Sequence, residues 1–221
     1  MRREISLSII IPTLNEAKNL PLLLSDLAEI KEISEIIVID SNSKDATKDI
    51  ASIYGAKCFN TMEQNRGFQL NKGAKSAKGN WLLFIHADSR LNQNWSKEIS
   101  NILSLDNKFI YFFSFKVNNN SLIFRFLELI VNLRTLILKT PYGDQGLLIN
   151  REIYFKYGGY KNIPIMEDID FINRIKGNEC LCELNSSILT SSRKWQKKNL
   201  LYQSIINFNL RRKWAKGYSL D

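Results

Sequence analysis

The chain has 221 residues, of which 44% are hydrophobic and 24% charged, with only 4 Pro and 10 Gly. A chain of that length hides roughly 70% of its unfolded surface in one core, and the composition excludes a disordered, collagen-like or linker polypeptide. Lys and Arg number 31 against 22 Asp and Glu, a net charge of +9, which draws the chain to an anionic partner: nucleic acid, a phosphorylated metabolite or an acidic membrane.

From the start of the chain, residues 5–11 form a β-branched run ending at Pro12, read as a buried strand. Asn15 can cap the helix that follows, in which Ala17, Leu20, Leu24, Leu27 and Ile30 recur at helical spacing; alternatively the helix starts near Asn19 with Pro21 in its first turn. A second buried strand, 35–39, ends at Asp40. Ser41, Asn42 and Ser43 make a turn, and Asp45 begins a helix stopped by Gly55. A short strand at 57–59 precedes a helix over 66–78, and the apolar strand 81–85 runs into His86-Ala87-Asp88. This βαβαβ order predicts an α/β fold, a mostly parallel central sheet with helices on both faces.

The second half is less regular. An aromatic strand spans 109–117, a helix 121–138, a strand 145–149, a short helix 151–157 stopped by Gly158 and Gly159, and a helix 168–175. Two short strands follow at 179–184 and 188–190, then a basic, amphipathic helical stretch at 197–216. The expected division is one domain over 1–196 and a basic C-terminal segment over 197–221, packed on that domain or on a membrane.

Cys58, Cys180 and Cys182 are too few and too odd in number for a disulfide framework. The single histidine leaves Cys180 and Cys182 without the partners of a zinc site, so they read as strand residues sharing one face in a reducing compartment. Met1-Arg2-Arg3 is followed at once by Glu4, so no signal peptide is expected, and the location is cytoplasmic, free or peripheral on the membrane. The apolar run 121–138 carries Arg125, Glu128 and Arg134. Each central charge costs about 3 kcal/mol in hydrocarbon, so the run is either a buried helix with a polar stripe or a helix lying in a membrane interface.

Ligands of an open parallel sheet bind beyond the carboxyl ends of its strands. Three strands here end in polar residues: Pro12 to Glu16, Asp40 to Ser43, and His86 to Asp88. Two acidic groups and a helix N-terminus at one edge would seat a nucleotide, with or without a divalent ion. The absence of G-x-G-x-x-G and of a Walker sequence argues against a dinucleotide cofactor or Walker-type ATP site.

Five segments carry a family resemblance. Ser8-Ile-Ile-Ile-Pro-Thr-Leu-Asn-Glu16 resembles the opening strand of family 2 glycosyltransferases of the GT-A fold. Arg66-Gly-Phe-Gln-Leu-Asn-Lys-Gly-Ala74, Phe84-Ile-His-Ala-Asp-Ser89, Pro141-Tyr-Gly-Asp-Gln-Gly146 and Met166-Glu-Asp168 are similar to a short bacterial branch of it, described as associated with radical-SAM or selenium-related genes. The resemblance covers nearly the whole chain. It implies an inverting sugar transfer from a nucleotide-diphosphate sugar to an acceptor hydroxyl, with Mn2+ or Mg2+ and cationic side chains stabilising the diphosphate.

Residue by residue, the resemblance puts the metal at Asp88, the last Asp of the family's D-x-D motif. His86 replaces the first Asp, as a ligand, a contact through water or a strand-end filler. Pro12, Asn15, Glu16 and Asp40 become nucleotide contacts; for Glu16 the alternative is a carboxylate at a helix N-terminus. Arg66 faces the diphosphate or forms a surface ion pair, and Gly67 and Gly73 serve close packing. Asp144 and Gln145 line the sugar or acceptor pocket, and one of Glu167 and Asp168, preferably Asp168, is the general base; both also suit a helix start. Arg193 and Trp195 resemble a diphosphate-binding Arg-Trp element. The acceptor is open and includes a lipid-linked one. Alternative functions are a GT-A-like nucleotidyltransferase, or a basic membrane- or nucleic-acid-binding protein without catalysis. The first lacks a Gly-rich basic loop after strand one, and no nucleic-acid motif is present.

Overall fold

The computed structural model describes residues 5–28, 30–105 and 109–191. One eight-stranded mixed sheet runs through it in the order β3-β2-β1-β4-β7-β6-β8-β5. Strands β1 (Leu7–Thr13), β2 (Ile33–Asp40), β3 (Lys57–Asn60) and β4 (Trp81–Phe84) are parallel to one another, so their carboxyl ends share an edge. The β1–β4 ladder ends at Ile10 and Phe84, before Pro12, so the missing proline N–H breaks no bond to β4. Helix α1 (Leu20–Leu27) starts after Asn19 with Pro21 in its first turn, and it buries Leu20, Leu23, Leu24 and Leu27. Helices α2 (Thr47–Ile53) and α3 (Arg66–Ser76) complete the expected order.

The second half pairs differently. Strand β7 (Leu147–Asn150) runs antiparallel to β4, and β6 (Ile110–Val117) lies antiparallel to β7 and parallel to β8 (Leu181–Thr190). The sequence pattern assigns no element to 89–104. The structure has β5 (Ser89–Leu91) there, paired to β8, and helix α4 (Trp95–Ser104), which buries Trp95, Ile99, Ile102 and Leu103. A strand of three residues is set by its partner, so no periodicity announces it. The two strands expected at 179–184 and 188–190 are one strand, β8, whose pairing with β6 shifts between Phe112 and Ser114. Near that irregularity the amides of Asn185 and Ser186 donate to the Glu98 carboxylate of α4 (2.7 and 2.8 Å). Cys182 is half-buried in β8 and Cys180 exposed before it, and all three cysteines are free.

Two apolar layers clothe the sheet. One joins α1 and α4 to one face, and the other joins α3, α6 (Arg151–Lys156) and α7 (Glu167–Ile175) to the opposite face. Gly73 lets α3 press on the sheet, because a Cβ there would sit 2.5 Å from Ile10 Cγ2.

Helix α5 (Leu122–Leu138) is not the buried helix with a polar stripe that is one of the two expectations for this run. Its buried side chains are Phe124, Glu128 and Thr135, while Leu122, Ile123, Phe126, Leu129, Ile130, Leu133, Leu136, Ile137 and Leu138 are exposed. The polar stripe turns inward to serve backbone groups of β6. Val117 N–H donates to Glu128 (2.7 Å), Phe115 N–H donates to Asn132 Oδ1 (2.9 Å), and Asn132 Nδ2 donates back to Phe115 O (3.0 Å). Stranding a buried backbone group costs about 1–3 kcal/mol, so these bonds hold the Glu128 and Asn132 side of the helix against β6.

Candidate active site

The carboxyl edge of the parallel strands gathers most of the expected site residues, in two groups. The first hangs on Asp40, the last residue of β2, which is fully buried. Its Oδ1 accepts from the Thr13 hydroxyl (2.9 Å) and the Ser43 hydroxyl (2.5 Å), and its Oδ2 from the Ser43 amide (2.8 Å). Asn15 and Asn42 take left-handed backbone conformations, which Asn tolerates better than most residues. Asn15 N–H donates to Ser43 Oγ (2.7 Å), and Asn15 Oδ1 accepts from Lys44 N–H (2.8 Å). Glu16 accepts from Asn19 Nδ2 (2.6 Å) at the start of α1, and its amide donates to Thr47 Oγ1 (2.9 Å). Asp45 accepts from the amide and hydroxyl of Thr47 ahead of α2. Asn15, Glu16 and Asp40 thus frame one end of the rim through two interlocked turns, and Pro12 lies within β1 just before Thr13. Gln69, not singled out from sequence, bridges them from α3 by donating to Thr13 O (3.1 Å) and Ile39 O (2.7 Å).

The second group lies beyond β4. Gly143 opens a short 3-10 turn (Gly143–Gln145), and its N–H donates to Asp168 Oδ2 (2.7 Å). A Cβ on Gly143 would lie 3.2 Å from His86 Nε2 and 3.3 Å from Asp168 Oδ2, so the bare backbone leaves room for both side chains to converge there. His86, Tyr142, Gly143, Tyr160, Glu167 and Asp168 line one pocket with Phe84, Pro141 and apolar neighbours. Asp168 stands in the first turn of α7, where its Oδ1 accepts from Ile169 N–H (2.8 Å) and the helix end favours a carboxylate. The preceding Met166 takes a left-handed conformation that turns the chain into the helix.

Glu167 is buried and ion-paired to Arg66 Nε, the first residue of α3. Burial alone would lower the Arg66 pKa, but Glu167, Asp168 and Asp144 outweigh it and raise it above its ordinary value. Arg66, its side chain 42% exposed, thus pairs with a buried acid of the site. Asn65 caps α3, its Oδ1 accepting from Phe68 N–H (2.8 Å) and its Nδ2 donating to Ile163 O (2.7 Å). Gly67 lets the chain near Lys161 come close, since a Cβ would meet Lys161 O at 2.1 Å. Tyr160 is buried; burial, Tyr154, Asp168 and Glu167 push its phenol well above the ordinary value against the pull of Arg66, so it stays neutral.

Gln145 departs from the expected pocket-lining place. It is fully buried, with Oε1 accepting from Tyr142 N–H (3.2 Å) and lying 3.1 Å from Thr135 Oγ1, and with Nε2 donating to Phe113 O (3.3 Å). It braces the pocket wall from behind. Asp88 is buried in the turn between β4 and β5, two residues past His86. Among the described residues, no three His, Cys, Asp or Glu side chains form a metal cage. A carboxylate completed by phosphate oxygens and water suits Mg2+ or Mn2+, and an imidazole is the weaker match to these oxygen-preferring ions. Arg193 and Trp195 lie outside the described residues. The sequence missed Tyr160 and Gln69; the only signal for Gln69 was its place inside the Arg66–Ala74 segment.

The parallel half-sheet, its antiparallel extension and the acidic rim define a GT-A architecture. The profile of "Glycosyl transferase family 2" matches residues 8–162, and the chain belongs to that family. Its fold is similar to that of S. aureus TarS 1-349 in complex with UDP-GlcNAc, with a TM-score of 0.68 at 18% identity over 85% of this chain and 58% of that one. It is also similar to GalNAc-T7 with UDP, GalNAc and Mn2+, with a TM-score of 0.65 at 15% identity over 86% of this chain and 44% of that one. In sequence, the chain is 37% identical over 100 residues to the 4,4'-diaponeurosporenoate glycosyltransferase of Staphylococcus haemolyticus, a match covering 42% of this chain and 27% of that protein.

Proposed function

We propose that the protein is an inverting glycosyltransferase that moves a sugar from a nucleoside-diphosphate donor to an acceptor hydroxyl. The observation that carries this is the convergence on Gly143 of His86, from the end of β4, and Asp168, from the start of α7, with the Arg66–Glu167 pair beside them. Family membership and the UDP-bound structural neighbours support the same reading.

Asp168 is the general base. As the acceptor oxygen attacks the anomeric carbon, Asp168 takes the hydroxyl proton. The bond from that carbon to the diphosphate oxygen breaks, and its electron pair leaves with the diphosphate. The Gly143 amide fixes the base through one carboxylate oxygen and leaves lone pairs for the incoming proton. Glu167 is a positioning residue, because its buried carboxylate is spent on Arg66. Arg66 would offer the diphosphate hydrogen-bond donors rather than net charge, since Glu167 neutralises it. Asp88 and His86 would hold Mn2+ or Mg2+, which when bound would withdraw charge from the leaving diphosphate. Asn15, Glu16 and Asp40 shape the seat of the nucleoside through the interlocked turns, with Pro12 ahead of them in β1. A lipid-linked acceptor and peripheral contact with a membrane belong to the same proposal; among the described residues, no helix is long and apolar enough to cross a membrane.

The test is a thermal-shift panel of UDP, GDP, CDP and dTDP, with and without Mn2+, on the wild type and Asp168→Asn. A diphosphate at a hundred times its Kd adds about 2.7 kcal/mol of stability. Asp168→Asn is expected to keep that shift and to lose roughly 100-fold or more in transfer. Silence of every diphosphate, or full transfer by the variant, refutes the reading.

A further inference from the structure

We infer that the outward face of α5 seats the protein on an anionic lipid bilayer, placing the mouth of the candidate site at headgroup level. This rests on the glycosyltransferase reading for its functional meaning, though not for the contact itself. Nine large apolar side chains of α5 are exposed, from 48% at Ile130 to 87% at Leu122. At roughly 100 Å² each they form a patch on the order of 900 Å², above the 300–600 Å² typical of a monomer's largest patch.

The orientation is enforced by specific bonds. Glu128 and Asn132 are committed to the backbone of β6, so rolling the apolar face inward would break three hydrogen bonds and strand the amides of Phe115 and Val117. Charge selects the occupant. Arg125 is paired to Glu128, the one acid of α5, and Lys139 at the helix end lies near Glu183, so the excess is the chain's own net charge of +9. An apolar helix face on a chain of that charge fits anionic headgroups over acyl chains. It fits a second copy of this chain poorly, since a net charge of +9 on each partner would oppose the pairing.

The same helix is wired to the site. Arg134 stacks on the Tyr142 ring, 3.5 Å from its centre, and Thr135 lies 3.1 Å from Gln145 Oε1 behind the pocket wall. From Leu138 the chain passes through Thr140 and Pro141 directly into Tyr142 and Gly143. A hydroxyl carried by a membrane amphiphile would therefore meet Asp168 without leaving the interface, which makes the acceptor class an amphiphile.

The experiment is co-sedimentation of the full chain with phosphatidylcholine vesicles, with and without about one-third phosphatidylglycerol. The wild type should bind the anionic vesicles more tightly than the neutral ones, and salt should weaken binding. Leu129→Gln/Leu133→Gln, at positions 63% and 52% exposed, should weaken it at least tenfold with circular dichroism unchanged, and Ile137→Gln, at 68%, should weaken it less. Failure of the wild type to bind, equal binding to neutral vesicles, or undiminished binding by the folded variants overturns the inference. A wild-type dimer in light scattering that the double substitution dissolves also overturns it, in favour of a second copy. The diphosphate thermal-shift panel, run without vesicles, reports on the catalytic reading alone; silence of every diphosphate with vesicle binding intact sinks only that reading.

Discussion

Arg66→Met is expected to destabilise the protein by about 2 kcal/mol. The Glu167 side chain is only 2% exposed, so the substitution leaves a buried carboxylate without its cation. Breaking a buried ion pair in this way costs about 3–5 kcal/mol. The Arg66 side chain is 42% exposed, however, and water entering the vacated space will solvate part of the Glu167 charge, which brings the cost to the lower figure. For a chain of this size that lowers Tm by about 4–8 °C. Glu167→Gln alone should cost less, because Arg66 can turn to solvent. The double variant should recover at least half of the Arg66→Met loss, a coupling of about 1–2 kcal/mol. Urea unfolding of the four proteins measures the cycle. A loss under about 0.5 kcal/mol for Arg66→Met, with additive double-variant behaviour, would show that the pair holds nothing together.

Three further expectations concern the metal seat, the far edge of the sheet and the α3 contact. Asp88→Asn should abolish the Mn2+-dependent part of the diphosphate thermal shift, while the shift without metal stays; an unchanged Mn2+ increment removes Asp88 from the metal. Glu35 is buried; burial works to raise its pKa, but bonds from Lys57 Nζ, the Lys78 amide and the Ser8 hydroxyl prevail and lower it below 4.5. Its ionised form therefore contributes stability above pH 4.5 that fades as pH falls through the folded value, so Glu35→Gln should cost about 1–3 kcal/mol at neutral pH and much less in acid. A gap between the two melting curves that does not narrow below pH 4.5 would contradict this. Gly67→Ala drives a Cβ to 2.1 Å from Lys161 O, a backbone atom, and should cost about 1–3 kcal/mol by denaturant titration. Wild-type stability in that variant would mean that the α3 contact yields freely.

Continuous β-branched and apolar runs ended by turn residues are local facts, and they made β1, β2 and β4 readable, together with the shared edge where Asp40 and His86 lie. The start of α1 was left between Asn15 and Asn19, and the structure takes the second, with Pro21 in the first turn. The antiparallel insertion of β7 beside β4 was not, because partner choice depends on contacts far apart in sequence. Gln145 looked like a pocket residue and proved to be a brace, since a polar side chain gives no local sign of whether its partners are water, ligand or backbone.

By itself the amino-acid order determined which segments could be strands and helices, and which residues could carry acid, base and metal chemistry. Those properties arise from side-chain shape, spacing and ionisation within a few residues. Only the tertiary structure decided that Arg66 would neutralise Glu167 and leave Asp168 to face the pocket, across about a hundred residues of chain. It alone decided that α5 would turn its leucines outward, because the unmet amides of β6 claimed the polar stripe first.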